Sequence, residues 1–327
     1  MKVLVTGGAG FIGSHLVELL LATHHEVVVL DDLSSGREAN LQAGISTGRC
    51  RFVRGDIRDR AIVRQCCDGV QWVFHLAGRA DIVPSIENPV EYFEVNVSGT
   101  LNLLEAARAS QVQRFVYAAS SSCYGLADIY PTPESAPIRP EYPYALTKNQ
   151  GEQLVMHWSK TYGLPAVSLR LFNVFGPRAR TSGTYGAVFG VFLAQRSRGV
   201  PLTVVGDGSQ SRDFTFVTDV AAAFLMAAQS SLTQRIFNVG SGGHYSVKHL
   251  VELLGGPTEQ IPKRPGEPEC TFADISEIVK TLGWKPVVRF EDGVARMLEE
   301  LPAWENAPLW TTDTIAHATK AWFKYLG

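Results

Sequence analysis

Short apolar runs recur along the first half of the chain, reading KVLVTG, EVVVLDD, RFVRGD, WVFHLAG, RFVYAAS and AVSLRLFN. A strand that stays apolar along its whole length is covered on both faces, as in a parallel sheet, whereas a half-exposed strand alternates. Between the runs, segments 11–21, 89–110 and 142–162 carry apolar residues at three- and four-residue spacing, the period of a helix with one buried side. The pattern predicts an α/β fold with a doubly wound parallel sheet covered by helices. Beyond residue 176 the order loosens into loops rich in Gly, Arg and Ser, GPRARTSGTYG and GDGSQSRDF, with helical spacing at 187–198 and 220–229. The stretch 304–325 gathers Trp304, Trp310, Trp322, Phe323 and Tyr325, and is expected to pack against the body or a partner subunit.

Composition narrows the class further. At 327 residues, 45% hydrophobic and 19% charged, the chain is long enough for a large core with a second lobe. A net charge of −2 without a run of like charges gives it no attraction to nucleic acid or an anionic membrane surface. No window approaches the roughly 18 unbroken apolar residues of a membrane span, and MKVLVTGG lacks the apolar core of a signal peptide. Cys50, Cys66, Cys67, Cys123 and Cys270 form no CxxC pair, and their odd number fits reduced thiols. The expectation is a cytoplasmic protein with no nucleic-acid or membrane partner and no metal site.

VTGGAGFIGSHL places Gly7, Gly10 and Gly13 directly after the first strand, where a helix begins at Phe11 and Ile12. The three glycines serve a tight turn, a close backbone approach to a pyrophosphate, and close packing of helix on strand, and the helix N-terminus favours the phosphates. Asp31, about twenty residues on at the end of VVVLDDL, is placed to accept hydrogen bonds from the adenosine ribose and to repel a 2′-phosphate. With Asp32 beside it, this favours NAD over NADP. Asp56 and Ile57, in GDIRD after the third strand, are candidate contacts to the adenine, with a turn as the plainer role for Asp56. This is a Rossmann-type arrangement, and we expect residues 1–175, with 210–240 returning to them, to bind NAD. Residues 176–209 and 241–327 would form a smaller, partly interleaved substrate-binding lobe.

YPYALTK sets Tyr144 and Lys148 four residues apart, on one face of a helix. Such a pair by chance marks two surface residues, but this one follows a dinucleotide fingerprint and a strand ending in Ser120. An ammonium and the positive nicotinamide beside the phenol would lower its pKa from about 10 and make Tyr144 a base near neutral pH.

These residues resemble the extended short-chain dehydrogenase/reductase family, and within it the nucleotide-sugar epimerases and dehydratases. The resemblance implies catalytic roles for Ser120, Tyr144 and Lys148. It puts HLAG (His75 to Gly78, with Leu76 and Ala77) beside the nicotinamide, includes Asn96 of NVSGT among the cofactor residues, and gives Asn173 of LRLFNVFGPR to the sugar diphosphate. Arg212 of RDF and Arg264 of KRPGEPE become a phosphate clamp, whereas Arg178 and Arg180 read as surface charges. Ser85, Ser122 and Tyr185 are further candidate substrate contacts, and Cys123 reads as a buried small residue. A homodimer through 89–110 and 142–162 is implied as well.

Within the resembling family, a 4,6-dehydratase carries Thr-Asp-Glu where this chain has Ser120, Ser121 and Ser122, because eliminating water needs an acid and a base. Decarboxylases of UDP-glucuronate keep a glutamate at the place of Ser122, and C3/C5 epimerases a cysteine there. A row of serines suits oxidation and re-reduction at C4, which needs Ser, Tyr and Lys alone. The resemblance therefore implies a UDP-sugar 4-epimerase, with a dehydratase, a decarboxylase or a non-catalytic NAD sensor as alternatives. Thr271, beside Cys270, falls where such epimerases gate the sugar pocket, and its small size implies room for N-acetylhexosamines or hexuronates as well as glucose and galactose.

Overall fold

In the computed structural model, which describes residues 1–179 and 188–327, each of the six apolar runs is a strand of one parallel sheet. In chain order these are β1 (Lys2–Thr6), β2 (Glu26–Asp31), β3 (Cys50–Arg54), β4 (Trp72–His75), β5 (Arg114–Ser120) and β6 (Ala166–Leu171). A seventh strand, Arg235–Val239, pairs with β6, and the spatial order runs from it through β6, β5, β4, β1 and β2 to β3. The chain thus winds outward in both directions from β1, and the crevice between β1 and β4 is where a doubly wound sheet holds its ligand.

Successive side chains of a strand face opposite ways. Val3 and Val5 enter one core with Leu16, Val17 and Leu20 of the helix Phe11–Ala22 (α1) and Phe224 of the helix Val217–Gln229. Leu4, between them, enters the other core with Leu103, Leu104 and Val155. Burial on both faces is why the strands read as continuous apolar runs.

The helix over 142–162 is observed as Pro143–Tyr162, with Pro at its first turn and Gly163 in the left-handed conformation (φ 70°) closing it. The segment 89–110 is one helical rod with a wide, π-type turn at Glu94–Gly99. There the Thr100 hydroxyl donates to Asn96 O (2.7 Å), and Asn96 is buried. The second half of the chain builds its own core, in which Phe175 stacks on Phe189 (4.6 Å between centroids) and Phe214 on Phe290 (5.2 Å). Of the aromatic tail, Trp304 and Trp322 are buried and Phe323 and Tyr325 exposed. Its last helix, Lys320–Leu326, packs on Ile82–Glu87. No helix among the described residues is long and apolar enough to cross a membrane.

Candidate active site

A cavity of about 780 Å³ opens above the C-terminal ends of the strands. Phe11, Ile12, Leu76 and Gly78 line it at the glycine-rich end, Ser120, Ser122, Tyr144 and Lys148 at its middle, and Asn173, Arg212, Arg264 and Thr271 toward the second lobe. The topology explains much of the gathering: strand ends of a parallel sheet share one edge, and Phe11 and Ile12, Leu76 and Gly78, and Ser120 lie at the ends of β1, β4 and β5 or just past them.

The glycine turn is built as tightly as its spacing predicts. Gly7 has φ 70°, and a Cβ there would lie 2.7 Å from Ala77 N, while one on Gly13 would lie 2.1 Å from Gly7 O. Gly10 starts α1 with no side-chain cap and no acidic residue in the first turn, so the helix offers open N–H groups to an anion. Asp31 is buried and holds this loop, accepting from Ala9 N and Leu33 N at 2.9 Å each. Each of its oxygens retains a second lone pair. Burial raises its pKa, and the two amide bonds oppose the rise. These features fit a dinucleotide lying across α1.

Of the predicted contacts, Gly7, Gly10, Gly13, Asp31, Asp32, Asp56, Ile57, Ala77, Ser85 and Asn96 do not line the cavity. Asp32 is engaged by the amide and hydroxyl of Ser34 in a surface turn. Asp56 is clasped by Arg58, whose guanidinium holds the carboxyl below its usual range. Ile57 is buried against Gly99. Ser85 is fully buried and donates to Ile82 O at 2.6 Å, within its own helix. Tyr185 and Arg180 lie outside the described residues. Arg178 is no surface charge: it lines the cavity and pairs with Glu18 on α1 (2.5 Å).

At the middle of the cavity, the Ser120 and Ser122 hydroxyls are 2.8 Å apart, and Ser120 is near enough to the Tyr144 phenol to favour its ionised form. Burial pushes the Tyr144 phenol above its ordinary value, with Ser120 opposing and the charges of Asp81 and Cys123 adding to the rise. Lys148 Nζ stands 4.5 Å over the Tyr117 ring. Lys148 itself is buried and pushed down to about 8 by desolvation, against the pull of Glu152 one turn on. Cys123 is buried as expected, its thiol pushed up to about 12 by that burial.

Side chains that do not touch the cavity hold those that do. His75 sits between the hydroxyls of Thr6 (2.8 Å) and Thr100 (2.9 Å), and burial pushes it down to about 3, so it stays neutral. The Asn96 side chain accepts from Arg79 N (2.8 Å) and donates to Arg79 O (3.0 Å), pinning the loop after HLAG. A Cβ on Gly78 would lie 2.9 Å from Asn96 Oδ1 and 3.8 Å from Lys148 Nζ, so the glycine of HLAG leaves room for both.

In the second lobe, Thr271 donates to Asn173 Oδ1 at 2.8 Å, joining two of the predicted substrate contacts. Arg212 and Arg264 both face Glu267, at 3.0 Å and 3.7 Å. Arg264 also lies over the Trp322 ring at 5.6 Å. Asp81, Glu267, Trp304, Trp310 and Trp322 complete the wall and were not singled out as ligand contacts by sequence. The cluster of tryptophans was the only signal for the last three.

The model of the NAD dependent epimerase/dehydratase family matches residues 3–240. The chain belongs to that family. A UDP-glucose 4-epimerase of Mycolicibacterium smegmatis is 37% identical, the match covering 91% of this chain and 98% of that protein. The UDP-glucuronic acid 4-epimerase of Bacillus cereus, solved with UDP-glucuronic acid and NAD, superposes with a TM-score of 0.85 at 31% identity, over 93% of this chain and 99% of that one. The dTDP-glucose 4,6-dehydratase DesIV of Streptomyces venezuelae, solved with NAD, gives 0.86 at 31% identity, again over 93% and 99%. The enzyme is NAD-dependent and its relatives act on nucleotide sugars.

Proposed function

We propose that the enzyme is a 4-epimerase of a UDP-sugar. The observation that carries this reading is Ser120, Tyr144 and Lys148 gathered on one cavity wall, where Ser121 and Ser122 take the places that the resembling dehydratases give to acids. When bound, NAD supplies a hydride acceptor for C4 and a positive ring near the phenol. Tyr144 removes the C4 hydroxyl proton, and Ser120 donates a hydrogen bond to the same oxygen. Lys148, on the same face of the helix, favours the phenolate. The 4-keto sugar would turn over while Arg212 and Arg264 keep its diphosphate, and Tyr144 would return the proton to the C4 oxygen as C4 regains its hydrogen on the other face. Asn173 and Thr271 would bound the sugar on the side facing the second lobe.

The reading places the enzyme in the cytoplasm, consistent with five free cysteines, and pairs it with a second copy. Val90 and Phe93 on one helical rod, and Leu146 and Tyr162 on Pro143–Tyr162, expose apolar surface along the expected dimer face.

The test is to incubate purified protein, with no added NAD, with UDP-GlcNAc, UDP-glucose and UDP-glucuronate in turn, following each anomeric proton by NMR. A C4-epimer signal approaching equilibrium is expected. It should be lost in Tyr144→Phe by about 10²- to 10⁴-fold, the usual contribution of a general base. Release of a 4-keto or decarboxylated sugar would replace this reading with the dehydratase or the decarboxylase.

A further inference from the structure

The segment 312–327 ties the two lobes together beside the cavity. Its first helix, Thr312–Ala318, is anchored in the second lobe, where Ile315 is buried in the same core as Phe189 and Phe290. The buried Thr319 closes that helix, its hydroxyl donating to Ile315 O at 2.8 Å. The next helix, Lys320–Leu326, reaches the first lobe and packs on Ile82–Glu87, just beyond HLAG and the loop that Asn96 pins. Within this segment Trp322 alone lines the cavity, and it is buried.

Trp322 is joined to two consecutive residues of the second lobe by two different contacts. Its indole N–H donates to Pro265 O at 2.6 Å, and the Arg264 guanidinium lies over its ring, 5.6 Å from the centroid. The first contact fixes the backbone beside Arg264, and the second fixes the end of its side chain. A long, many-jointed side chain loses rotamer freedom when it grips an anion. A ring that already holds the guanidinium lowers that loss before the ligand arrives. The attraction is between a cation and a ring quadrupole, so the ring contact takes up no hydrogen-bond acceptor and leaves the edge of the fork suited to phosphate oxygens. Resting on the reading of Arg264 as a diphosphate clamp, we propose that Trp322 is a positioning residue for that clamp. The C-terminal helix thereby becomes part of the substrate site: it braces the diphosphate anchor of the second lobe against the lobe that holds the cofactor. In the epimerase reading the diphosphate is the fixed point about which the 4-keto sugar turns, so its anchor must keep its place relative to the nicotinamide.

The test is a double-mutant cycle read by calorimetric binding of UDP to the full-length, NAD-loaded protein, which needs no turnover. Trp322→Leu should weaken UDP binding by about tenfold, the worth of a partly desolvated cation–π contact. The same substitution made in Arg264→Met should cost less than about twofold, because the group that Trp322 positions is gone. Trp322→Phe keeps a ring and loses the N–H; it should cost less than Trp322→Leu and again nothing in Arg264→Met, and it serves as the second variant should Leu perturb folding. An equal loss with and without Arg264 overturns the proposal, since it would make Trp322 a structural wall or a surface for the nucleobase. Unchanged affinity in both Trp322 variants overturns it too. Should Arg264→Met itself leave UDP affinity unchanged, the clamp reading falls and the proposal with it, an outcome distinct from a clamp that works without Trp322.

Discussion

Two arginine–glutamate pairs flank the site and are built to opposite ends. Arg170 and Glu152, on β6 and the helix Pro143–Tyr162, are 5% and 4% exposed and meet at 2.6 Å. Every direction is filled: Arg170 also donates to the Tyr124 hydroxyl (2.8 Å) and Glu134 O (3.0 Å), and Glu152 accepts from Ser168 (2.9 Å). Arg212 and Glu267, on the cavity wall, are 10% and 22% exposed at 3.0 Å. Glu267 Oε2 is buried there with no hydrogen bond, though Arg264 approaches it at 3.7 Å. A saturated pair can only hold structure, whereas a pair with unused hydrogen-bonding capacity facing a cavity can exchange its partner for a ligand. The wall of Ser120 and Tyr144 is thus backed by a closed network, and the Arg212 wall, proposed to hold the diphosphate, is left open.

Substitutions should separate the two walls. The largest effect is expected from Glu152→Gln, which strands Arg170 inside the fold and should cost about 3–5 kcal/mol of stability in urea unfolding. A loss below 1 kcal/mol would mean that the buried pair is not the support described. Arg212→Met should leave unfolding nearly unchanged and weaken UDP binding by about ten- to hundredfold, the worth of a charged hydrogen bond. Added salt should erode the affinity of the parent protein more than that of the variant, as screening acts on the charge removed. If stability falls and affinity does not, the open pair is structural after all. The smallest effect concerns pH. Lys148, pushed down to about 8 by burial, is a cation below that value and neutral above it, so kcat/KM should fall as pH rises through about 8. Lys148→Arg, charged throughout, should lose that alkaline limb at a lower overall rate, and an unchanged limb would assign it to another group.

Much of this was legible in the chain. Six strands followed from apolar runs, because burial on both faces leaves no polar alternation to misread. The glycine turn, Tyr144 with Lys148, and Ser120 were legible because one turn of chain or one helix face fixes their spacing. The seventh strand was missed as a run: RIFNV pairs with β6, Arg235 opposite Val167 and Val239 opposite Leu171, across a long stretch of intervening chain. Ser85 looked available and is sealed in its own helix, while Arg178 looked peripheral and is drawn into the cavity by Glu18.

The sequence by itself determined the layered fold and the cofactor class, since both rest on local spacing and on which side chains must leave water. Tertiary structure alone decided that Lys148 stands over the Tyr117 ring, that Glu267 stands between two arginines, and that the tail's tryptophans wall the cavity. Those depend on the distance and dielectric between groups up to hundreds of residues apart, which close only when the chain has folded.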